Sequence, residues 1–347
     1  MRISSFIIIL AALLVLIASL FAFNMQKTNS TNTLNLGSLT LNQKIAQMII
    51  TYEREDNREM LQKMFIGGIF IGVKSSKEDF ANTINDFQNG TTIPFFVAAD
   101  MEGCRNPFEN FQKFPAFNKI KTEEEAYKVG YEEGKLLKEL GFNMNFAPVV
   151  DLNDTVWNCR AFIGTPEEIS EKAEAYIKGL QLNGIRAVVK HYPGKTMSLK
   201  DSHNNIIYAT IDEGDLLPFK EAIRNNISAI MVSHVIVNGS VDSESKPSVA
   251  SEKLVGSLRN KYNFTGLIIT DEITMLGFKS YYSNADQKYV DLFKADNDLI
   301  VDFDSDPENL RRMISVVENA VKNGEISEKK INNSVIRILK AKGINIK

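Results

Sequence analysis

The segment that decides the fold is residues 185–194, which read IRAVVKHYPG. Its apolar first half predicts a buried strand, and Pro193 and Gly194 end that strand sharply. Lys190 and His191 therefore stand where the strand is expected to stop. Titratable side chains at strand ends, rather than scattered over helix faces, indicate a site that is built from several loops.

A loop follows this strand and ends in Asp201, Ser202 and His203. The i, i+2 spacing lets the Asp201 carboxylate turn back and accept a hydrogen bond from the imidazole of His203. Such a partner fixes the tautomer and makes the other ring nitrogen more basic. These two residues by themselves are equally compatible with a surface loop that carries a chance histidine. The third histidine of the chain, His234, also follows directly on an apolar run.

Short apolar runs alternate with longer amphipathic segments along the chain after residue 41. Eight runs have the length of strands, and they span 48–50, 68–71, 95–99, 144–150, 185–189, 229–232, 267–269 and 299–301. The segments of helix length include 123–140, 166–182, 213–225, 307–322 and 328–342. Strands that alternate with helices imply parallel pairing, and eight strands close an α/β fold of the (β/α)8 TIM-type barrel. A doubly wound open sheet is the alternative, but no glycine-rich fingerprint follows the first strand.

The N-terminal region differs from the rest of the chain. Arg2 precedes an uncharged apolar run over residues 6–23, which is longer than the core of a signal peptide and shorter than a full membrane span. We find no good small-x-small cleavage site, so we expect an uncleaved membrane anchor over residues 1–25, with a cleaved signal peptide as the alternative. A polar tether over residues 26–40 would then lead to one catalytic domain, residues 41–347, outside the cytoplasm.

The composition is that of an ordinary globular protein, with 44% hydrophobic and 24% charged residues. The formal net charge of −3 leaves no basic footprint for nucleic acid. We expect a monomer that needs no cofactor. Cys104 and Cys159 both fall in predicted loops, and an exported protein permits a disulfide between them. Two unpaired cysteines are the alternative, because the sequence does not place their Cα atoms within bonding reach.

Polar residues follow most of the predicted strands, at the end where barrel enzymes carry their chemistry. In chain order they are Asp100, Glu102, Arg105, Asp151, Arg160, Lys190, His191, His234, Asp271, Glu272, Asp302 and Asp304. Each of them has a plain explanation as a strand-end cap or a turn residue. Their concentration at one rim predicts a shared site.

Asp271 and His203 have the character that retaining glycoside hydrolysis requires. Asp271 would project from a rigid strand end and form a covalent glycosyl-enzyme as the nucleophile. His203 would protonate the departing oxygen and then act as base on water, while Asp201 would hold the ring and stabilise its cationic form. Side chains on neighbouring loops would orient the sugar through hydrogen bonds, and the candidates are Asp100, Arg160, Lys190 and His191.

Six motifs resemble, in order and spacing, those of the bacterial β-N-acetylhexosaminidase branch of glycoside hydrolase family 3. They are DMEG (100–103), NFAPVVD (145–151), KHYPG (190–194), DSH (201–203), MVSH (231–234) and TDEITM (270–275). The resemblance implies a (β/α)8 barrel and retaining cleavage of terminal β-linked N-acetylglucosamine, typically from peptidoglycan fragments. It implies the same roles for the seven catalytic and sugar-binding residues named above. A histidine in place of the usual acid/base carboxylate is itself characteristic of this branch.

Several positions depart from the family pattern. Residues 195–198 read KTMS where relatives usually have His-Gly-Asp-Thr, so the loop is expected to close differently over the leaving group. Cys104 replaces a usual glycine. Phe108 stands where a second arginine is expected, which removes one sugar contact. Arg105 is interpreted as structural, pairing with a nearby acid such as Glu102.

Two other functions are compatible with the same residues. The altered loop and the missing arginine would suit a barrel that binds muropeptides or sugars without cutting them. A metal hydrolase using His191, His203, Asp201 and another acid has permissible ligand types. As a metal ligand, His191 could not also contact the sugar, and the sequence contains no helical metal motif. We therefore expect no metal.

Overall fold

The computed structural model describes residues 33–197, 200–201 and 203–347. The expected anchor, residues 1–25, and the first part of the expected tether lie outside the described residues. Within the described part of the chain, no helix combines the length and the apolar character that crossing a membrane requires.

Eight parallel strands form the central sheet, and we label them β1 to β8 in chain order. They are Ile49–Tyr52 (β1), Gly68–Phe70 (β2), Phe96–Ala99 (β3), Met144–Asn145 (β4), Arg186–Tyr192 (β5), Ala229–Val232 (β6), Leu267–Thr270 (β7) and Ile300–Asp302 (β8). Neighbours along the chain pair with each other, and β8 pairs with β1. A parallel bridge between Ile269 and Leu299 joins β7 to the start of β8. The predicted (β/α)8 barrel is therefore confirmed, and the open-sheet alternative is wrong.

Helices surround this barrel and alternate with its strands. They are Leu41–Gln47 (α1), Arg58–Met64 (α2), Lys77–Gln88 (α3), Glu123–Leu140 (α4), Pro166–Leu182 (α5), Glu213–Arg224 (α6), Glu252–Asn260 (α7), Leu276–Lys279 (α8), Ala285–Lys294 (α9), Pro307–Lys322 (α10) and Glu328–Ala341 (α11). Strands β3, β6 and β7 are buried along their whole length. Burial on both faces explains why these strands read as continuous apolar runs rather than as alternating ones.

The end of the expected tether contacts the barrel domain. Thr33–Leu34 pairs in parallel with Asn345–Ile346, which follows the last helix. Thr40 caps α1 through a capping box with Gln43. The described start of the chain is thus hydrogen-bonded to its end.

Strand β5 continues beyond its predicted end and includes Lys190 and His191. Its pairing with β6 shifts register between Val189 and Tyr192. In a regular strand, successive side chains point to opposite faces. Lys190 and His191 nevertheless both line the cavity at the mouth of the barrel, and they lie in the stretch where the pairing is irregular.

Candidate active site

A cavity opens at the carboxyl ends of the barrel strands. It contains about 720 Å³ of empty space, counting the solvent at its mouth. All seven predicted site residues line it, namely Asp100, Arg160, Lys190, His191, Asp201, His203 and Asp271. The fold thus brings together side chains that come from the ends of β3, β4, β5 and β7.

Lys190 lies between two carboxylates on one wall of the cavity. Its Nζ is 2.8 Å from Asp100 Oδ1, and it also pairs with Glu102. Glu102 Oε1 is in turn 2.6 Å from Arg160 Nη2. Burial opposes the charge of Glu102, but Lys190 and Arg160 outweigh burial and hold its pKa well below the usual range. The cluster therefore presents fixed charged donors and acceptors, which suit the directed hydroxyl groups of a sugar.

Asp271 directly follows β7, and only 6% of its surface is exposed. The backbone N–H of Glu272 donates a hydrogen bond of 2.8 Å to Asp271 Oδ1. Burial raises the pKa of Asp271, but the nearby His191 and His234 lower it by more, so the net shift is downward. A buried carboxylate that is ionised at neutral pH has the property that a nucleophile needs.

His191 and His234 are each oriented by a hydrogen bond to a neighbouring residue. His191 Nδ1 is 2.8 Å from Asp151 Oδ2, and the other oxygen of this buried carboxylate accepts a hydrogen bond from the Thr196 N–H. His234 Nε2 donates to the backbone carbonyl of Glu272 at 2.8 Å. Burial lowers the pKa of His234, and the Asp271 carboxylate opposes this shift by a smaller amount. His234 therefore holds the backbone next to Asp271.

His203 and Asp201 form the predicted dyad. His203 Nδ1 is 2.6 Å from Asp201 Oδ1, which also accepts the backbone N–H of His203 at 3.0 Å. The carbonyl of His203 accepts a hydrogen bond of 2.9 Å from the N–H of Leu276. This bond fastens the His203 loop to the segment after β7. The imidazole thereby lines the same cavity as Asp271, which is the spatial condition that the proposed chemistry sets.

The loops after β3 and β4 are joined by a disulfide between Cys104 and Cys159. The sequence had left this pairing open. The neighbouring Arg105 stacks on Trp157, with its Cζ 4.1 Å from the ring centroid. The expected ion pair between Arg105 and Glu102 is not formed, because Glu102 is buried beside Lys190 and Arg160 instead.

Phe108, which stands where the family pattern has a second arginine, is fully buried. Its ring packs edge-on against Phe80 and Phe142 at centroid distances of 4.8 and 5.7 Å. The side chain therefore belongs to the core and does not enter the cavity. The contact that the missing arginine would make has no replacement at this position.

The sequence did not assign site roles to Glu102, Asp151, His234 or Trp157. Position at a strand end marked the first three, but only the fold shows that they orient other site residues. No group of three or more potential ligands in the described part of the chain is arranged to hold a metal ion. His191 and His203 instead belong to separate dyads with Asp151 and Asp201, so the ligand set of the metal-hydrolase reading is not assembled.

A parallel (β/α)8 barrel in which an ionised carboxylate and a carboxylate-held imidazole line one cavity has the groups that a glycoside hydrolase requires. Comparison with known proteins agrees with this class. The family model described as "Glycosyl hydrolase family 3 N terminal domain" matches residues 40–341. The chain belongs to glycoside hydrolase family 3.

Similar curated proteins carry the name beta-hexosaminidase. Beta-hexosaminidase A of Pseudoalteromonas piscicida is 26% identical over 289 residues, covering 74% of this chain and 48% of that protein. This chain thus spans about half of that relative. Beta-hexosaminidase LpqI of Mycobacterium tuberculosis is 25% identical over 87% of this chain and 82% of its own length. The beta-hexosaminidase of Tolumonas auensis is 31% identical over 64% of this chain and 71% of its own length.

Solved structures agree in fold. A family 3 beta-N-acetylglucosaminidase from Paenibacillus sp. superposes with a TM-score of 0.81 at 28% identity, covering 88% of this chain and 62% of that one. The structure titled M tuberculosis LpqI gives a TM-score of 0.81 at 24% identity, covering 91% of this chain and 99% of that one.

Proposed function

We propose that the protein is an exported β-N-acetylhexosaminidase that removes terminal β-linked N-acetylglucosamine from peptidoglycan fragments or related glycans. One observation carries the proposal. An ionised, buried Asp271 and an imidazole held by Asp201 line a single cavity. The names of the similar proteins supply the sugar class, and the family supplies the retaining mechanism.

In the first step, an Asp271 carboxylate oxygen attacks the anomeric carbon of the sugar. The bond between that carbon and the leaving-group oxygen breaks, and protonated His203 gives its proton to that oxygen. Nδ1 of His203 is engaged by Asp201, so Nε2 is the atom that transfers the proton. The products of this step are the free leaving group and a covalent glycosyl-enzyme.

In the second step, a water oxygen attacks the same carbon and the ester to Asp271 breaks. Neutral His203 takes a proton from this water, which restores the imidazolium for the next cycle. Burial opposes the charge of Asp201, but its hydrogen bonds from the backbone N–H and ring of His203 lower its pKa overall. Asp201 therefore stays ionised and stabilises the cationic ring.

Sugar recognition is assigned to Asp100, Arg160, Lys190 and His191. Their ion pairs and the His191–Asp151 hydrogen bond fix the direction in which each group points. Fixed donors and acceptors lower the entropic cost of orienting the ring for attack.

Export is supported by the disulfide between Cys104 and Cys159, because such bonds persist mainly in oxidising compartments.

The test is a panel of aryl β-glycosides assayed with the domain from Thr33 onward. The panel contains the N-acetylglucosaminide, glucoside, xyloside and N-acetylgalactosaminide. We expect the N-acetylglucosaminide to be cleaved best, and proton NMR of the released sugar to show the β-anomer first. Initial release of the α-anomer would contradict the covalent mechanism. Sugar binding without turnover of any member would favour the non-catalytic barrel.

A further inference from the structure

A second hollow adjoins the catalytic cavity. Four residues line both spaces, namely Asp100, Trp157, Arg160 and His203. The loops after β2 and β3 complete the second hollow, which contains about 910 Å³ of empty space counting the solvent at its mouth. Asp271 lines the catalytic cavity but not this hollow. The acid/base histidine of the proposed mechanism thus stands at the border between the two spaces.

This border position indicates which part of the substrate the second hollow would bind. In the proposed reaction, His203 protonates the oxygen that links the sugar to its leaving group. The sugar lies on the side of Asp271, in the catalytic cavity. The leaving group therefore extends past His203, and the second hollow is the space that the fold provides there.

Among the described residues that line the second hollow, Arg105 is the one cation without a carboxylate partner. The acids Asp100 and Glu102 are already paired with Lys190 and Arg160. The remaining ionisable side chains of the described lining are His203, which is paired with Asp201, and Arg105 and Glu109. Arg105 is exposed, and within the described chain it forms no ion pair. Glu109 would repel an anion, so any anion bound in the hollow has to sit at Arg105.

Arg105 is held in a way that leaves its hydrogen-bonding edge free. Its guanidinium stacks on the face of Trp157 at 4.1 Å, and this contact uses none of its N–H groups. A stacked guanidinium can still bind a carboxylate through two parallel hydrogen bonds along its edge.

The platform under Arg105 is rigid. The disulfide ties Cys104, which precedes Arg105, to Cys159, which lies two residues after Trp157. The Asp154 carboxylate accepts the backbone N–H of Trp157 at 2.8 Å and those of Cys159 and Arg160 at 3.0 and 2.8 Å. Pre-organisation of this kind reduces the entropy that a bound ligand has to overcome.

We propose that the second hollow binds a carboxylate on the leaving group of the substrate, and that Arg105, stacked on Trp157, is the residue that selects it. This inference rests on the proposed function and adds Arg105 as the residue that distinguishes between leaving groups at the same site. The disulfide acts here as a positioning element for the Arg105 platform.

The test compares two disaccharides, N-acetylglucosaminyl-β-1,4-N-acetylmuramic acid and N,N′-diacetylchitobiose. They differ only in the lactyl ether, which carries the carboxylate. Binding is measured by calorimetry in an Asp271→Asn background, where the disaccharides remain intact. We expect the lactyl-bearing disaccharide to bind on the order of tenfold more tightly, as a charge-assisted bidentate contact implies. Arg105→Gln should reduce this ratio to about twofold or less, and Arg105→Lys should give an intermediate ratio.

Arg224→Gln is the matched control, because Arg224 lies at the end of α6 and pairs with Glu221 away from both spaces. Its ratio should equal that of the parent. Circular dichroism melting checks that each variant is folded. Equal binding of the two disaccharides by the parent, no binding of either, or a preference that survives Arg105→Gln would overturn the inference. Hydrolysis of the aryl N-acetylglucosaminide by the unaltered protein tests the proposed function separately.

Discussion

At the scale of the residue, Asp271 combines burial with a negative charge, and this combination requires compensation. The N–H of Glu272 and the field of His191 and His234 supply it. An ionised carboxylate would be expensive at this depth without them. The same groups keep the side chain at one position, which an attacking nucleophile requires.

Asp271→Asn tests this role directly. The amide has nearly the same shape but is a poor nucleophile, so we expect hydrolysis of an aryl β-N-acetylglucosaminide to fall by roughly 10³-fold or more. Thermal unfolding should change little, because the amide oxygen can still accept the Glu272 N–H. Asp56→Asn is the control, since Asp56 is exposed and pairs with Arg54 outside the cavity. Retention of full activity in Asp271→Asn would refute the nucleophile assignment.

His203→Ala is predicted to discriminate between leaving groups. An activated phenol leaves with little proton assistance, whereas a sugar hydroxyl needs it. Loss of the acid should therefore slow disaccharide cleavage by about 10²–10⁴-fold and slow glycosyl-enzyme formation from a nitrophenyl substrate much less. Single-turnover kinetics with the two substrates gives the comparison. Equal losses on both would argue against an acid role for His203.

At the scale of the element, α4 and α5 pack unusually closely through glycine. A Cβ on Gly179 of α5 would lie 2.4 Å from the Tyr127 carbonyl oxygen of α4, and one on Gly130 would lie 2.2 Å from the Tyr176 carbonyl oxygen. Backbone atoms cannot move aside as a flexible side chain can. Both positions therefore exclude any larger residue unless the helices separate.

Gly179→Ala is predicted to destabilise the protein by about 1–3 kcal/mol, because the added methyl group forces the helices apart. The matched control is Gly256→Ala in α7, where the nearest atom to an added Cβ is 3.7 Å away. This change should stabilise by about 0.5–1 kcal/mol through helix propensity. Urea unfolding measures both. A stabilising Gly179→Ala would show that the two helices are not in contact as described.

The same helix pair contains a buried acid. Glu133 on α4 contacts the hydroxyl group of Tyr176 on α5, and that hydroxyl accepts a hydrogen bond of 3.0 Å from Asn145. Asn145 in turn accepts the N–H of Met101 at 2.9 Å. Burial raises the pKa of Glu133 to about 8, against a lowering by the Tyr176 contact. Glu133 is therefore protonated in the folded protein at neutral pH.

This raised pKa predicts a pH-dependent stability. Below pH 4.5, the ordinary pKa of a glutamate, Glu133 is protonated in both the folded and the unfolded protein. Its full contribution to the free energy of unfolding is present there. As the pH rises towards about 8, the unfolded chain releases the proton first, and the free energy of unfolding falls. Glu133→Gln should remove this decline. Urea unfolding across this range provides the measurement, with exposed Glu132→Gln as the control. Parallel profiles for wild type and Glu133→Gln would contradict it.

At the scale of the whole molecule, the disulfide closes a loop between residues 55 positions apart. The loop contains β4, so cutting the bond releases one side of the barrel mouth. The chain-entropy model assigns a loop of this length roughly 4 kcal/mol of stabilisation. The bond also fixes the relative position of the loops that carry Glu102 and Arg160.

The double variant Cys104→Ser, Cys159→Ser should lose about this amount of unfolding free energy, and reduction of the wild type should reproduce the loss. Urea midpoints with and without reductant provide the measurement. Alkylation of the unreduced protein should add no mass. An unchanged midpoint after reduction would show that the bond contributes nothing to stability.

Two expectations about the whole molecule remain predictions. Light scattering would test whether the protein is a monomer, and cell fractionation would test whether it is attached to the membrane.

The sequence alone determined the succession of elements. Thr122 and Thr165 begin α4 and α5 with capping boxes, and Asp306 and Pro307 begin α10. These signals act over one helical turn, so a single sequence contains them in full. Motif order similarly predicted seven side chains that line one cavity in the structure. The extension of β5 through Tyr192 was missed, since irregular strand pairing depends on the neighbouring strand.

Only the tertiary structure decided how the site residues are paired. Lys190 pairs with Asp100, which lies 90 residues earlier in the chain, and with Glu102. The stacking of Arg105 on Trp157 and the pairing of the two cysteines arise in the same way. Local propensity has a range of a few residues, whereas burial and charge act between any groups that folding brings together. The sequence could therefore predict which residues line the cavity, but only the tertiary structure determines which of them interact with each other.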